Sequence, residues 1–169
     1  MSSRRIFDGE VINLRVDEVK LENGVVATRE VVEHRGATAI VPILDNGEVV
    51  LVRQYRYPVQ AELLEIPAGT SEPNEDPKNC AIRELEEETG YRCGNIQELA
   101  AIFLAPGYST EKIHIFLAKS LAKTQTHMDE DEKITTETYP LKVALEKIKT
   151  GEIRDAKSIV GLHLTSGLI

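Results

Sequence analysis

The segment Arg83-Glu84-Leu85-Glu86-Glu87-Glu88-Thr89-Gly90-Tyr91 places four glutamates in five consecutive positions. Upstream, Asp76 followed by Pro77 reads as an N-cap and a first helical residue, and Gly90 as a C-terminal stop, so the pattern predicts a helix over about 77–89. At about 100° per residue, Glu84 and Glu88 lie ~40° apart and Glu87 lies ~60° to the other side of Glu84. Ala81, Ile82 and Leu85 form the adjoining apolar arc, and Glu86 is expected to face solvent. Like charges at these spacings oppose a helix by about 0.2–0.5 kcal/mol per pair. The basic residue four positions beyond Glu88, Arg92, falls past the Gly90 stop. A hard divalent cation would relieve the repulsion. Mg²⁺, with Mn²⁺ as a substitute, favours carboxylate oxygens and keeps waters that a substrate phosphate can replace. The plain alternative is a solvated acidic face, against which stands the position of the acidic arc beside the core-facing one.

Such a helix needs a framework to hold it. The chain has 169 residues, enough for one domain with a small N-terminal appendage. Its 20 Lys and Arg against 28 Asp and Glu give a net charge of −8, which disfavours nucleic acid and anionic lipid as partners. The opening residues lack the apolar core of a signal peptide, and no apolar run reaches the roughly 18 residues of a membrane span, so a cytoplasmic location is expected. Cys80 and Cys93 have no metal-site spacing and read as reduced thiols. Residues 10–19 alternate polar and apolar, then "ENG" marks a turn before "VVATREVV", an antiparallel hairpin. "ATAIVPIL" suits a strand buried on both faces; "VVLVRQYR", "ELLEIP", "LAAIFLA" and "KIHIFLA" follow as strands. "AGTSEPNEDP" reads as a polar loop. Residues 139–151 and 155–167 show helical spacing, with Leu141, Ala144, Leu145 and Ile148 on one face. These elements divide into a β-hairpin unit over 1–36 and a main domain over 37–169.

Counting outward from the helix gives Gly69, five residues, Glu75, seven residues, Arg83-Glu84-Leu85, one residue, Glu87-Glu88, one residue and Gly90. This spacing resembles the signature of the Nudix hydrolases. Tyr91 departs from it, standing where an aliphatic residue is usual. The resemblance implies an α/β fold: a Nudix-type α/β/α sandwich with a mixed sheet, here plus the small N-terminal antiparallel β unit. It also implies cleavage of a nucleoside diphosphate linked to another group. By position, Glu84 and Glu88 correspond to the principal metal ligands, Glu87 to a further ligand or water contact, and the Ala68 carbonyl to a position completing the metal shell. Glu75 and Arg83 look like the pair that fixes the loop to the helix, with Gly69 and Gly90 as structural positions of the same motif.

Flanking segments, including "LLEIPAG", "LAPGYSTEKIHIFLA" and "HMDEDEKI", resemble the ADP-ribose pyrophosphatase branch, which implies release of AMP and ribose 5-phosphate. Divalent ions would polarise a phosphoryl oxygen and lower the pKa of a water for in-line attack. Arg56 matches a phosphate-contacting position, where a guanidinium fork is suited. Glu65 is a candidate for a ribose or adenine edge, and Pro106 sits where the branch carries a proline. Glu132, with Glu130 beside it, matches loop glutamates that assist water activation. The branch also implies a homodimer in which the N-terminal unit, through Arg29, completes the partner's adenine pocket. Other nucleoside diphosphate derivatives (a nucleotide sugar, NADH, a dinucleoside polyphosphate) and a non-catalytic binding module stand as the alternatives. No GxSxG, P-loop or GxGxxG motif is present.

Overall fold

In the computed structural model, which describes residues 2–124 and 134–169, the chain opens with three antiparallel strands, β1 (Ser2–Asp8), β2 (Ile12–Lys20) and β3 (Val26–His34). β2 and β3 form the expected hairpin. β1 is an addition to it: "SSRRIFD" has no alternation of its own, and becomes a strand by pairing with β2 from Ser2↔Glu18 to Asp8↔Asn13. This sheet leans on the rest of the chain through β3. The Val32 N–H donates to the Tyr108 carbonyl at 2.8 Å, and the Thr110 N–H donates to the Val32 carbonyl at 2.9 Å.

The main body follows with β4 (Ala37–Pro42), β5 (Glu48–Arg56), β6 (Ala61–Glu65), β7 (Ala68–Thr70), α1 (Pro77–Thr89), β8 (Tyr91–Phe103), β9 (Lys112–Lys123), β10 (Ile134–Pro140), α2 (Leu141–Lys149) and α3 (Ala156–Ser166). β7, β4, β9 and β8 form a mixed sheet in which β4 and β9 run parallel, and β10, β5 and β6 form an antiparallel one. Two short strands occupy segments the sequence did not assign as strands. β7 lies inside the expected polar loop and exists through pairing with Ala37–Ala39, and β10 through pairing with β5.

All six residues of β4 are buried, as its continuous apolar run predicts. Alternation along β4 and β9 sends side chains to two separate cores. Ile40, Phe116 and Ala118 pack with Ala81 and Leu85 of α1; Val41, Ile115 and Leu117 join Leu51, Ile66, Ala144 and Leu162 on the side of α2 and α3. Layers of helix on both sides of the mixed sheet follow directly. Leu85 is fully buried, worth about 1.5–3 kcal/mol, and its packing fixes which arc of α1 remains for the glutamates.

α1 has the predicted bounds for the predicted reasons. The Asp76 carboxylate accepts from the Lys78 and Asn79 N–H groups at 3.0 and 3.3 Å, and Gly90 takes the left-handed conformation at φ 67°, returning its N–H to the Glu86 carbonyl. Among the described residues no helix is long and apolar enough to cross a membrane.

Candidate active site

On α1 the counter-charge to the glutamates comes from within the helix. The Arg83 guanidinium donates through Nε and Nη2 to the two oxygens of Glu75, at 3.0 Å each, and through Nη1 to Glu84 at 2.7 Å and Glu87 at 2.9 Å. The expected Arg83–Glu75 pair is present, and the same arginine also serves Glu84 and Glu87. Arg83 precedes the glutamates, one position from Glu84 and four from Glu87. Its neighbours raise the affinity of Arg83 for its proton, Glu75 most of all, and Arg83 in turn holds the Glu75 carboxyl down to about 2 from an ordinary 4.5. Glu86 also departs from expectation. It is only partly exposed, taking Arg92 Nε at 2.8 Å and the Thr124 hydroxyl at 3.2 Å.

Two of the glutamates reach the Ala68–Gly69 step of β7. The Ala68 N–H donates to Glu88 Oε2 at 3.0 Å, and Glu88 is 4% exposed. Glu84 lies so close to Gly69 that a Cβ on this glycine would stand 1.9 Å from the Glu84 carboxyl carbon. Hydrogen is the one side chain this contact admits. Gly69→Ala is therefore expected to displace the Glu84 carboxylate and lower turnover by roughly 10–100-fold while the fold is retained, to be checked by kcat beside circular dichroism. The donors are hard oxygens of the kind a divalent cation takes. Among the described residues no group of three His, Cys, Asp or Glu side chains converges as a metal shell, Arg83 being placed between Glu84 and Glu87. What the arrangement does provide is two carboxylates and a backbone carbonyl position gathered at one peptide step.

The same step opens on a cleft of about 520 Å³ that also takes in Arg56, Glu65, Glu111 and Lys157. Arg56 grips Glu65 with a two-pronged pair, Nε to Oε1 at 3.0 Å and Nη2 to Oε2 at 2.9 Å. Burial alone would push Glu65 up, yet Arg56 and Lys157 hold it below the usual carboxylate range. The Glu65 side chain is thus paired with two cations of the protein. Arg29 lies on β3 away from this cleft, its guanidinium on the Thr28 carbonyl at 2.9 Å, and Pro106 sits on an exposed turn outside the lining. Glu130 and Glu132 lie outside the described residues.

The family model for the NUDIX domain matches residues 33–160, spanning α1, the two sheets of the main body and the cleft. The chain belongs to the Nudix family. It is 41% identical over 165 residues to a methanol dehydrogenase activator of Bacillus methanolicus, covering 96% of this chain and 89% of that protein. It is 39% identical, with the same coverage, to an ADP-ribose pyrophosphatase of Bacillus subtilis strain 168. A solved structure of an ADP compounds hydrolase superposes with a TM-score of 0.88 over 99% of this chain and 91% of that one, at 24% identity. Nudix proteins generally work with a divalent cation, for which the oxygen-rich face of α1 is chemically suited.

In the Nudix signature of this chain, Gly69, Glu75, Arg83, Glu84, Glu87 and Glu88 are thus brought together by β7, the loop after it and α1, while Gly90 ends the helix. Three cleft residues had no local signal. Asp155 and Lys157 enter from the start of α3, and Glu111 from the residue before β9. A charged residue next to a strand or cap reads as surface until the fold turns it inward.

Proposed function

We propose that this Nudix enzyme hydrolyses the diphosphate of ADP-ribose to AMP and ribose 5-phosphate, with Mg²⁺ held by Glu84, Glu88 and the Ala68 carbonyl, and with Mn²⁺ as a substitute. The observation that carries it is the Ala68–Gly69 step, which touches the Glu84 and Glu88 carboxylates of α1 and forms part of the cleft lined by Arg56. A cation bound there supplies charge for a phosphoryl oxygen and a more acidic water. Arg56 offers the diphosphate a planar cation, and Glu87, the most exposed of the three glutamates paired to Arg83, is the described residue suited to contact that water. The choice of ADP-ribose follows the likeness to the Bacillus subtilis pyrophosphatase.

The N-terminal sheet supports a homodimer. Phe7, Val11, Val25 and Val26 are each more than half exposed on a three-stranded unit without a core of its own, and such a unit gains stability from a second surface. Arg29 then serves the partner's pocket rather than its own, in a cytoplasmic enzyme.

The deciding experiment is a hydrolysis panel under saturating Mg²⁺ with product identification. AMP and ribose 5-phosphate from ADP-ribose, in preference to products from nucleotide sugars, NADH and dinucleoside polyphosphates, is the expected outcome. Equilibrium binding of ADP-ribose without turnover would instead make the protein a binding module.

A further inference from the structure

Along the cleft, four charged groups from the ends of β5 and β6 and the start of α3 close into one chain of contacts. Glu65 at the end of β6 is 1% exposed and Lys157 in the first turn of α3 is 7% exposed, both unusual for their types. Arg56, at the end of β5, commits Nε and Nη2 to Glu65. Lys157 Nζ donates to Glu65 Oε2, the oxygen that also takes Arg56 Nη2, and lies 3.0 Å from Asp155 Oδ2. Asp155 is itself fixed, accepting from the Ser158 N–H at 3.0 Å and the Ser158 hydroxyl at 2.6 Å, and Ser158 Oγ accepts the Ile66 N–H at 2.8 Å. All four charged groups line the cleft with Ala68 and Gly69.

Arg56 balances the charge of Glu65 and Lys157 that of Asp155, yet Lys157 also donates to Glu65, a contact that neutrality alone does not require. What the lysine adds is direction. With one oxygen shared between two cations, and the ammonium anchored through Asp155 to α3 and through Ser158 to Ile66, the carboxylate plane of Glu65 is held, and with it the plane of the Arg56 guanidinium. Nη1 is left as the donor not committed to Glu65.

We propose that Lys157 is a positioning residue for Arg56, acting through Glu65 so that a substrate diphosphate meets a guanidinium already oriented. This rests on the diphosphate-hydrolase reading above. It separates from a structural role through KM, because a guanidinium that must be ordered by the substrate weakens binding without changing the chemistry at phosphorus.

The test compares the unmodified protein with Lys157→Met, Arg56→Ala and the double variant, using ADP-ribose and saturating Mg²⁺. Lys157→Met is expected to raise KM roughly five- to ten-fold with kcat within about two-fold, and to add less than about two-fold once Arg56 is alanine. Asp155→Asn, which keeps an N-cap for α3 but weakens the hold on the ammonium, should shift KM in the same direction by less, and serves if Lys157→Met does not fold. An unchanged KM in a folded Lys157 or Asp155 variant overturns the proposal. So do equal increments in both Arg56 backgrounds, which would mean that Lys157 meets the substrate directly. Should the unmodified protein bind ADP-ribose without turnover, the hydrolase reading fails while the same four proteins, compared by Kd, still test the positioning. No binding by the unmodified protein overturns both.

Discussion

Glu88→Gln is expected to lower kcat by on the order of 10²–10³-fold or more in Mg²⁺ while leaving the melting temperature close to that of the parent. Both halves follow from one contact. Glu88 is nearly fully buried and accepts the Ala68 N–H at 3.0 Å, a bond that the carbonyl oxygen of a glutamine can also accept. The substitution thus removes the charge and keeps this bond. Glu84→Gln should act in the same direction, with some added loss because the Arg83 contact at 2.7 Å is charge-assisted. AMP release in single-turnover experiments, beside calorimetric titration with Mg²⁺, checks the pair. Near-parental turnover in either folded variant would contradict the placement of the cation at this face.

Arg83→Ala should damage both stability and activity. One guanidinium holds Glu75, Glu84 and Glu87, and its removal leaves three partly buried carboxylates facing one another. A loss of about 2–4 kcal/mol is expected by urea denaturation at neutral pH, with kcat reduced roughly 10–100-fold as the glutamates lose their fixed orientation. The effect has a pH signature. Glu75 is held at about 2 in the folded protein against an ordinary 4.5, so its contribution is fully present above about 4.5 and disappears as the pH falls toward about 2. Denaturation curves collected down that window should therefore converge, the parent losing stability faster than the variant. A gap that stays constant with pH would remove Glu75 as the group concerned.

The limits of α1 were legible because they depend on adjacent residues: Asp76 caps its own first turn, Pro77 fits the first helical position, and Gly90 adopts a conformation glycine tolerates. Burial of β4 on two sides was legible in its unbroken apolar run. What escaped local reading depends on the third dimension. β1 and β7 are strands because another strand lies beside them, and no alternation in either segment announces it. Glu65 and Lys157 are 92 positions apart, and neither the strand end nor the helix start hints at the other. Arg83 was visible, but its pairing with Glu75 said nothing of Nη1, which has room for Glu84 and Glu87 as well.

The two-sidedness of β4 has a mechanical implication. Its backbone edge carries β7, one row of its side chains grips the acidic helix, and the other row sits in the α2–α3 layer. The strand is a common keel, so neither flank can loosen by itself: the acidic helix inherits the cooperativity of the entire sandwich, and its rigidity is set as much by aliphatic contacts on the far side as by anything near the cleft.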